Sequence, residues 1–252
     1  MKIIGSVKED LVGEKRISIT PETVKKFVDL NMSVLLENKY GEHLGINDEE
    51  YKNKGASLNN SAKEVLEKSE IILRVNCPSN DEISIIKNKS ILIGQFDPLS
   101  NKETINKLIK KEVKIFSLNL LPRITRAQSM DVLSSQANLA GYRAVIESVE
   151  EFGKAVPMMM TAAGTITPAK VLVIGAGVAG LQAIATAKRL GAIVSATDVR
   201  TVAKEQVESL GAKFLAVEGA ENLETSGGYA KEAGEDFKKK QAELLKNSVK
   251  KN

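Results

Sequence analysis

The stretch "AKVLVIGAGVAGLQAIATAKRLGAIVSATDVR", residues 169–200, constrains the fold more than any other part of this chain. A short β-branched apolar run (171–174) leads into Gly175-x-Gly177-x-x-Gly180. A helical run to Leu190 follows, then a second apolar run (193–197) ending at Asp198. Strand, glycine-rich turn, helix, strand and acid in this order make a βαβ unit suited to a dinucleotide. Gly175 permits the tight turn, Gly177 lets the backbone approach a pyrophosphate, and Gly180 lets helix and strand pack closely. The helix N-terminus then offers unpaired N–H groups and a partial positive charge to the phosphates.

Asp198 stands eighteen residues past Gly180, near the ~20 expected of the acid that binds the adenosine ribose. A carboxylate there accepts from the ribose hydroxyls and repels a 2′-phosphate, which favours NAD(H). Arg200 pulls the other way, because a guanidinium pairs with phosphate. The acid's place at the strand end decides for NAD(H).

Upstream, short apolar runs at 2–7, 33–38, 70–75, 90–96 and 113–118 read as strands. Helical stretches lie between them, and "TPETVKKFVDLN", "NSAKEVLEKS" and "SNKETINKLIKKE" each begin with a polar capping residue. Strands buried on both faces and joined by single helices imply right-handed crossovers and a parallel sheet. The fold class expected is α/β with two doubly wound parallel-sheet domains. The first is flavodoxin-like or Rossmann-like over 1–135, and the second is a partial NAD-binding Rossmann domain over 136–252. Residues 139–152 read as a connecting helix. In "GKAVPMMMTAAGTITPAK" the three methionines read as packing between the domains.

Composition closes off several classes of function. A net charge of +4 is too mild for a nucleic-acid binder, and the lysines of "FKKKQAELLKNSVKKN" read as a solvated helix face. One cysteine, Cys77, allows no intramolecular disulfide and no cysteine-based metal site; it reads as a buried small hydrophobe in a reducing compartment. No run approaches the ~18 apolar residues of a membrane span, and "MKIIGSVKED" meets charge too early for a signal peptide. The lone histidine, His43, reads as a turn residue.

The segment "PRITRAQSMDVLSSQANLAGYRA" (122–144) gathers Arg123, Gln128, Asp131 and Ser134 without a histidine, lysine or cysteine. Placed after the last strand of the first domain, it is expected to overhang a binding cleft. A guanidinium, an amide, a carboxylate and a hydroxyl suit a nicotinamide carboxamide and its ribose. They equally suit capping of the next helix.

"PRITRAQSMDVLSSQANLAGYRAV", "PMMMTAAGT", residues 175–200, "KEQVESLGAKF" and "GGYAKE…FKKKQAE" together resemble the NAD(H)-binding domain of the proton-translocating NAD(P) transhydrogenase alpha subunit. "GEKRISITPETV" is shared more widely, with alanine dehydrogenase and its relatives. The resemblance implies that Arg123, Gln128, Asp131 and Ser134 position nicotinamide for direct hydride transfer to NADP+ on the NADP(H)-binding domain of the beta subunit. It adds Ser129 and Met130 to the nucleotide contacts, with Val178, Asp198, Val199, Arg200, Gly228, Tyr229 and Gln241. It implies membrane-spanning partner subunits coupled to proton movement, a homodimer, and a peripheral place on the cytoplasmic face of a bacterial inner membrane. It also implies an NAD domain that continues past this stretch, so the chain reads as partial. Hydride passing between two nicotinamides releases no proton at the reacting centre, so positioning groups suffice and no acid or base is required.

Two other readings stand beside this one. An alanine-dehydrogenase-like enzyme needs proton-transfer groups, and Asn76 and Asp97 stand where that family's lysine and histidine would be; Arg16 does match its carboxylate-binding arginine. The third reading is an inactive NAD-binding fragment.

Overall fold

A computed structural model describes residues 2–122, 124–217 and 234–251 of the chain, which divides into two compact units, Met1–Asp131 and Val132–Asn252. In the first, six strands make one parallel sheet: β1 (Ile3–Ser6), β2 (Ser33–Glu37), β3 (Ala56–Asn59), β4 (Ile71–Leu73), β5 (Ile91–Gly94) and β6 (Lys114–Ser117). Their order is β3-β2-β1-β4-β5-β6, the doubly wound order of a dinucleotide fold. Ile4 of β1 lies opposite Val34 on one side and Ile71 on the other.

Helices α1 (Pro21–Asp29), α2 (Asp48–Asn53), α3 (Ala62–Lys68), α4 (Asn80–Ile85) and α5 (Lys102–Lys110) connect the strands. Thr20, Asn47, Ser61 and Ser79 cap the first four by accepting main-chain N–H groups. The cap expected at α5 differs. Asn101 makes no side-chain bond to that helix and instead donates to the Phe96 carbonyl at 2.9 Å. Two cores form, one around Val65, Ile72, Leu92 and Leu108, the other around Ile4, Val24, Leu36 and Tyr51. Each such side chain removed from water is worth about 1.5–3 kcal/mol. Strand β3 has no clear signal in the sequence because "ASLN" has little of the alternation of a strand; pairing with β2 makes it one. Cys77 is half-buried, and its thiol donates to the Phe96 carbonyl at 3.2 Å.

In the second unit, α6 (Val132–Phe152) precedes a two-stranded antiparallel hairpin, β7 (Met159–Thr161) with β8 (Gly164–Ile166). A parallel sheet follows in the order β11-β10-β9, with β9 Lys170–Ile174, β10 Ile193–Thr197 and β11 Lys213–Phe214. Helices α7 (Val178–Arg189) and α8 (Ala203–Ser209) are its crossovers, and α9 (Glu235–Lys251) carries exposed Lys238, Lys239 and Lys240. The core here is small-residue rich: Ala176, Ile184, Ala187, Val194, Ala196 and Val207.

One expectation needs correction. Helix α6 begins at Val132, seven residues earlier than expected, so Ser134 lies in its first turn and not in a loop. Met159 and Met160 lie on β7 with Met158 just before it, and all three are exposed, Met160 by 72%. Hairpin pairing satisfies their backbone without burying their side chains. Among the described residues no helix is long and apolar enough to cross a membrane.

Candidate nucleotide-binding site

The site is built on the turn between β9 and α7. Gly175 takes φ +92°, a conformation that side-chain-bearing residues rarely adopt, and its amide donates to the Thr197 carbonyl at 2.8 Å. Gly180, in the first turn of α7, passes so close beneath the turn that a Cβ there would lie 1.8 Å from the Gly175 carbonyl oxygen. Gly177 differs. A Cβ built on it would meet nothing nearer than an Arg200 guanidinium nitrogen at 4.0 Å, so the space above the turn is open. That opening, at the N-terminus of a twelve-residue helix, fits a pyrophosphate.

Asp198 follows β10 and faces the turn. Its Oδ2 accepts from the Ala176 amide at 2.7 Å and from Arg200 Nη2 at 3.1 Å. Its Oδ1 accepts from the Arg200 amide at 2.8 Å and Nε at 2.9 Å. Partial burial by itself would raise the Asp198 pKa, but the bonds from Arg200 and Ala176 hold it below the usual aspartate range. Gly175, Gly177, Val178, Gly180, Asp198 and Arg200 are thus brought together, with half-buried Val199 between the last two.

Gln128, Ser129 and Met130 lie exposed on a 3₁₀ turn (Thr125–Met130), and Asp131 caps it with its amide on the Gln128 carbonyl at 3.2 Å. These four belong to the first unit; Ser134 belongs to the second. Gln241 is half-buried on α9. Arg123, Gly228 and Tyr229 lie outside the described residues. Sequence reasoning missed Ala176, whose main-chain amide is what anchors Asp198; the variable position between two glycines gives no side-chain signal. It also missed Gly141 of α6, where a Cβ would lie 2.1 Å from the Ala179 carbonyl oxygen and force α6 off α7.

Of the positions matched to alanine dehydrogenase, Arg16 is ion-paired, and Asn76 and Asp97 stand where that family's lysine and histidine would be. Glu14 grips Arg16, with Arg16 Nε on Oε1 at 2.8 Å and Nη2 on Oε2 at 2.6 Å. Asn76 Nδ2 donates to Glu14 Oε2 at 3.2 Å. The Arg16 guanidinium holds the Glu14 carboxyl at about 2, against an ordinary 4.5. Asp97 is exposed, and its carbonyl accepts the amides of Ser100 and Asn101 at the start of α5. His43 is exposed too, its Nε2 bonded to the Lys15 carbonyl oxygen at 2.8 Å.

Strand, glycine turn, helix N-terminus and acid in this arrangement define a dinucleotide-binding α/β protein. Known proteins narrow the class. Residues 5–140 match the family model described as alanine dehydrogenase/PNT, N-terminal domain, and residues 144–252 match its C-terminal domain. The chain belongs to the alanine dehydrogenase/PNT family. It is 51% identical over 255 residues to an NAD(P) transhydrogenase subunit alpha chain of Rhodospirillum rubrum, spanning 98% of this chain and 66% of that protein. It is 42% identical over 248 residues to NAD(P) transhydrogenase subunit alpha of Haemophilus influenzae, spanning 98% of this chain and 48% of that protein. The solved transhydrogenase of Sinorhizobium meliloti superposes with a TM-score of 0.82 at 50% identity, over 86% of this chain and 64% of that one. The chain therefore spans just under two thirds of the length of the relative from R. rubrum and about half of that from H. influenzae.

Proposed function

We propose that this chain is the NAD(H)-binding component of a proton-translocating transhydrogenase. It presents NADH to NADP+ held on the NADP(H)-binding domain of a beta subunit, and hydride passes directly between the two nicotinamides. Membrane-spanning partner subunits couple the exchange to proton movement, and the chain works as a homodimer at the cytoplasmic face of a bacterial inner membrane. The observation that carries the reading is the open glycine turn with Asp198 fixed against it. Family membership supports the reading, as does the likeness to transhydrogenase alpha subunits.

The residues would divide the work as follows. The α7 N-terminus and the amides around Gly177 and Val178 face the pyrophosphate. Asp198, with Val199 and Arg200 beside it, takes the adenosine ribose. Gln128, Ser129, Met130, Asp131 and Ser134, with Arg123, orient the nicotinamide, while Gly228, Tyr229 and Gln241 complete the contacts. None of these groups moves a proton at the reacting carbon.

Against an alanine-dehydrogenase reaction stands the Glu14–Arg16 pair, which occupies the guanidinium that would hold a substrate carboxylate. The test mixes the full chain with the NADP(H)-binding domain of a transhydrogenase and follows reduction of an NAD analogue by NADPH. Analogue reduction that requires both proteins is expected. Oxidation of NADH by pyruvate and ammonia with this chain alone would overturn the reading.

A further inference from the structure

In the order β3-β2-β1-β4-β5-β6, the connections leave β1 and β4 in opposite directions, so the crevice at their carboxyl ends is the sheet's switch point. Open α/β sheets take their ligands at such places. In this sheet a carboxylate of the chain already sits there. Glu9, three residues past β1, places Oε1 on the Val75 amide at 2.7 Å and on Arg74 Nε at 3.1 Å. Its Oε2 accepts from Arg74 Nη2 at 3.1 Å and from the Asn76 amide at 3.4 Å. The side chains of Glu9 and Arg74 are 3% and 5% exposed.

Four donors for two oxygens, two from a guanidinium fork and two from successive main-chain amides, fit a planar carboxylate. The cationic side of this cradle does not depend on Glu9. Arg74 Nη1 is held separately by Glu82 Oε1 at 2.5 Å, and Glu82 Oε2 accepts the Ser79 amide at 2.8 Å in the capping box of α4. Removing Glu9 therefore leaves Arg74 paired and its fork aimed at the same place. The strap that delivers Glu9 is tied on either side, by Lys8 to Glu37 at 3.0 Å and by Glu14 to Asn76. Its tip is a hydrogen-bonded turn that points into solvent, with Val12 95% exposed.

We propose that the switch-point crevice of the first sheet is a carboxylate-binding cradle that the chain fills with its own Glu9. A small monocarboxylate takes the place when that side chain is absent. In the native chain the crevice is closed to dissolved acids.

Glu9→Ala deletes a fragment with the shape of acetate, so acetate is the probe. Thermal unfolding of the native chain, Glu9→Ala and Glu9→Gln is compared in acetate and in chloride at equal ionic strength and neutral pH. Glu9→Ala is expected to melt several degrees lower in chloride and to recover, saturably, at least half of that loss in acetate. The native chain and Glu9→Gln, whose crevices stay filled, are expected to respond no more to acetate than to chloride. A Glu9→Ala protein indifferent to acetate, or a native chain that responds as strongly, overturns the proposal. If Glu9→Ala does not stay folded in chloride, refolding yields in the two salts make the comparison, and equal yields overturn it.

Discussion

Asp198 and Arg200 are locked in a two-point contact, Nε on Oδ1 at 2.9 Å and Nη2 on Oδ2 at 3.1 Å, while the same carboxylate holds the Ala176 amide. The acid at the end of β10 therefore braces the glycine-rich turn. Arg200 is also the nearest group to the open side of Gly177, its guanidinium 4.0 Å from where a Cβ there would lie.

Asp198→Ala is expected to weaken NADH binding by about 10- to 100-fold, the loss of a charge-assisted hydrogen-bonding group. Fluorescence titration of NADH measures it. Unchanged affinity would remove Asp198 from the site.

Gly180→Ala and Gly177→Ala should fail in different ways. The first drives a Cβ into the Gly175 carbonyl oxygen and should cost the second unit about 1–3 kcal/mol or more. The second meets open space, so the fold should hold while nucleotide binding weakens. Urea unfolding paired with NADH titration separates the two, and equal stability losses would refute the assignment of their roles.

Glu14 makes stability depend on acid. Its carboxyl sits at about 2 in the folded chain, mainly through Arg16, against 4.5 when unconstrained. A depressed pKa contributes stability that is full above the unfolded value and is lost as pH falls from 4.5 towards 2. The stability difference between the native chain and Glu14→Gln, read from urea midpoints, should therefore shrink across that window. A constant difference would show that the Arg16 contact contributes nothing.

Gln128→Ala is expected to slow hydride exchange far more than it weakens NADH affinity, because the proposed role of Gln128 is to orient the ring. Stopped-flow exchange with an NADP(H)-binding domain gives the rate, and titration gives the affinity. A loss confined to affinity would make Gln128 an ordinary contact.

Much of the two parallel sheets is legible because most of their strands announce themselves locally. Val171 to Ile174 reads as a strand before Gly175, and Thr20 and Pro21 mark the start of α1. What escapes a local reading is structure that depends on a partner. Strand β3 exists through its pairing with β2, and "PMMMTAAGTI" forms a hairpin whose apolar side chains face outward, against the usual equation of apolar with buried.

Short-range periodicity and glycine geometry dictate the crossover units, the turn at Gly175 and the nearness of Asp198 to that turn, and all of these can be read along the chain. The folded arrangement alone reveals that Glu9 meets Arg74 and Val75, some 65 positions away, and that Glu14 meets Asn76, 62 positions away. Such pairings depend on how strands register and how a strap crosses their ends. A carboxylate's partner is fixed by where folding brings donors together, and no local pattern encodes that.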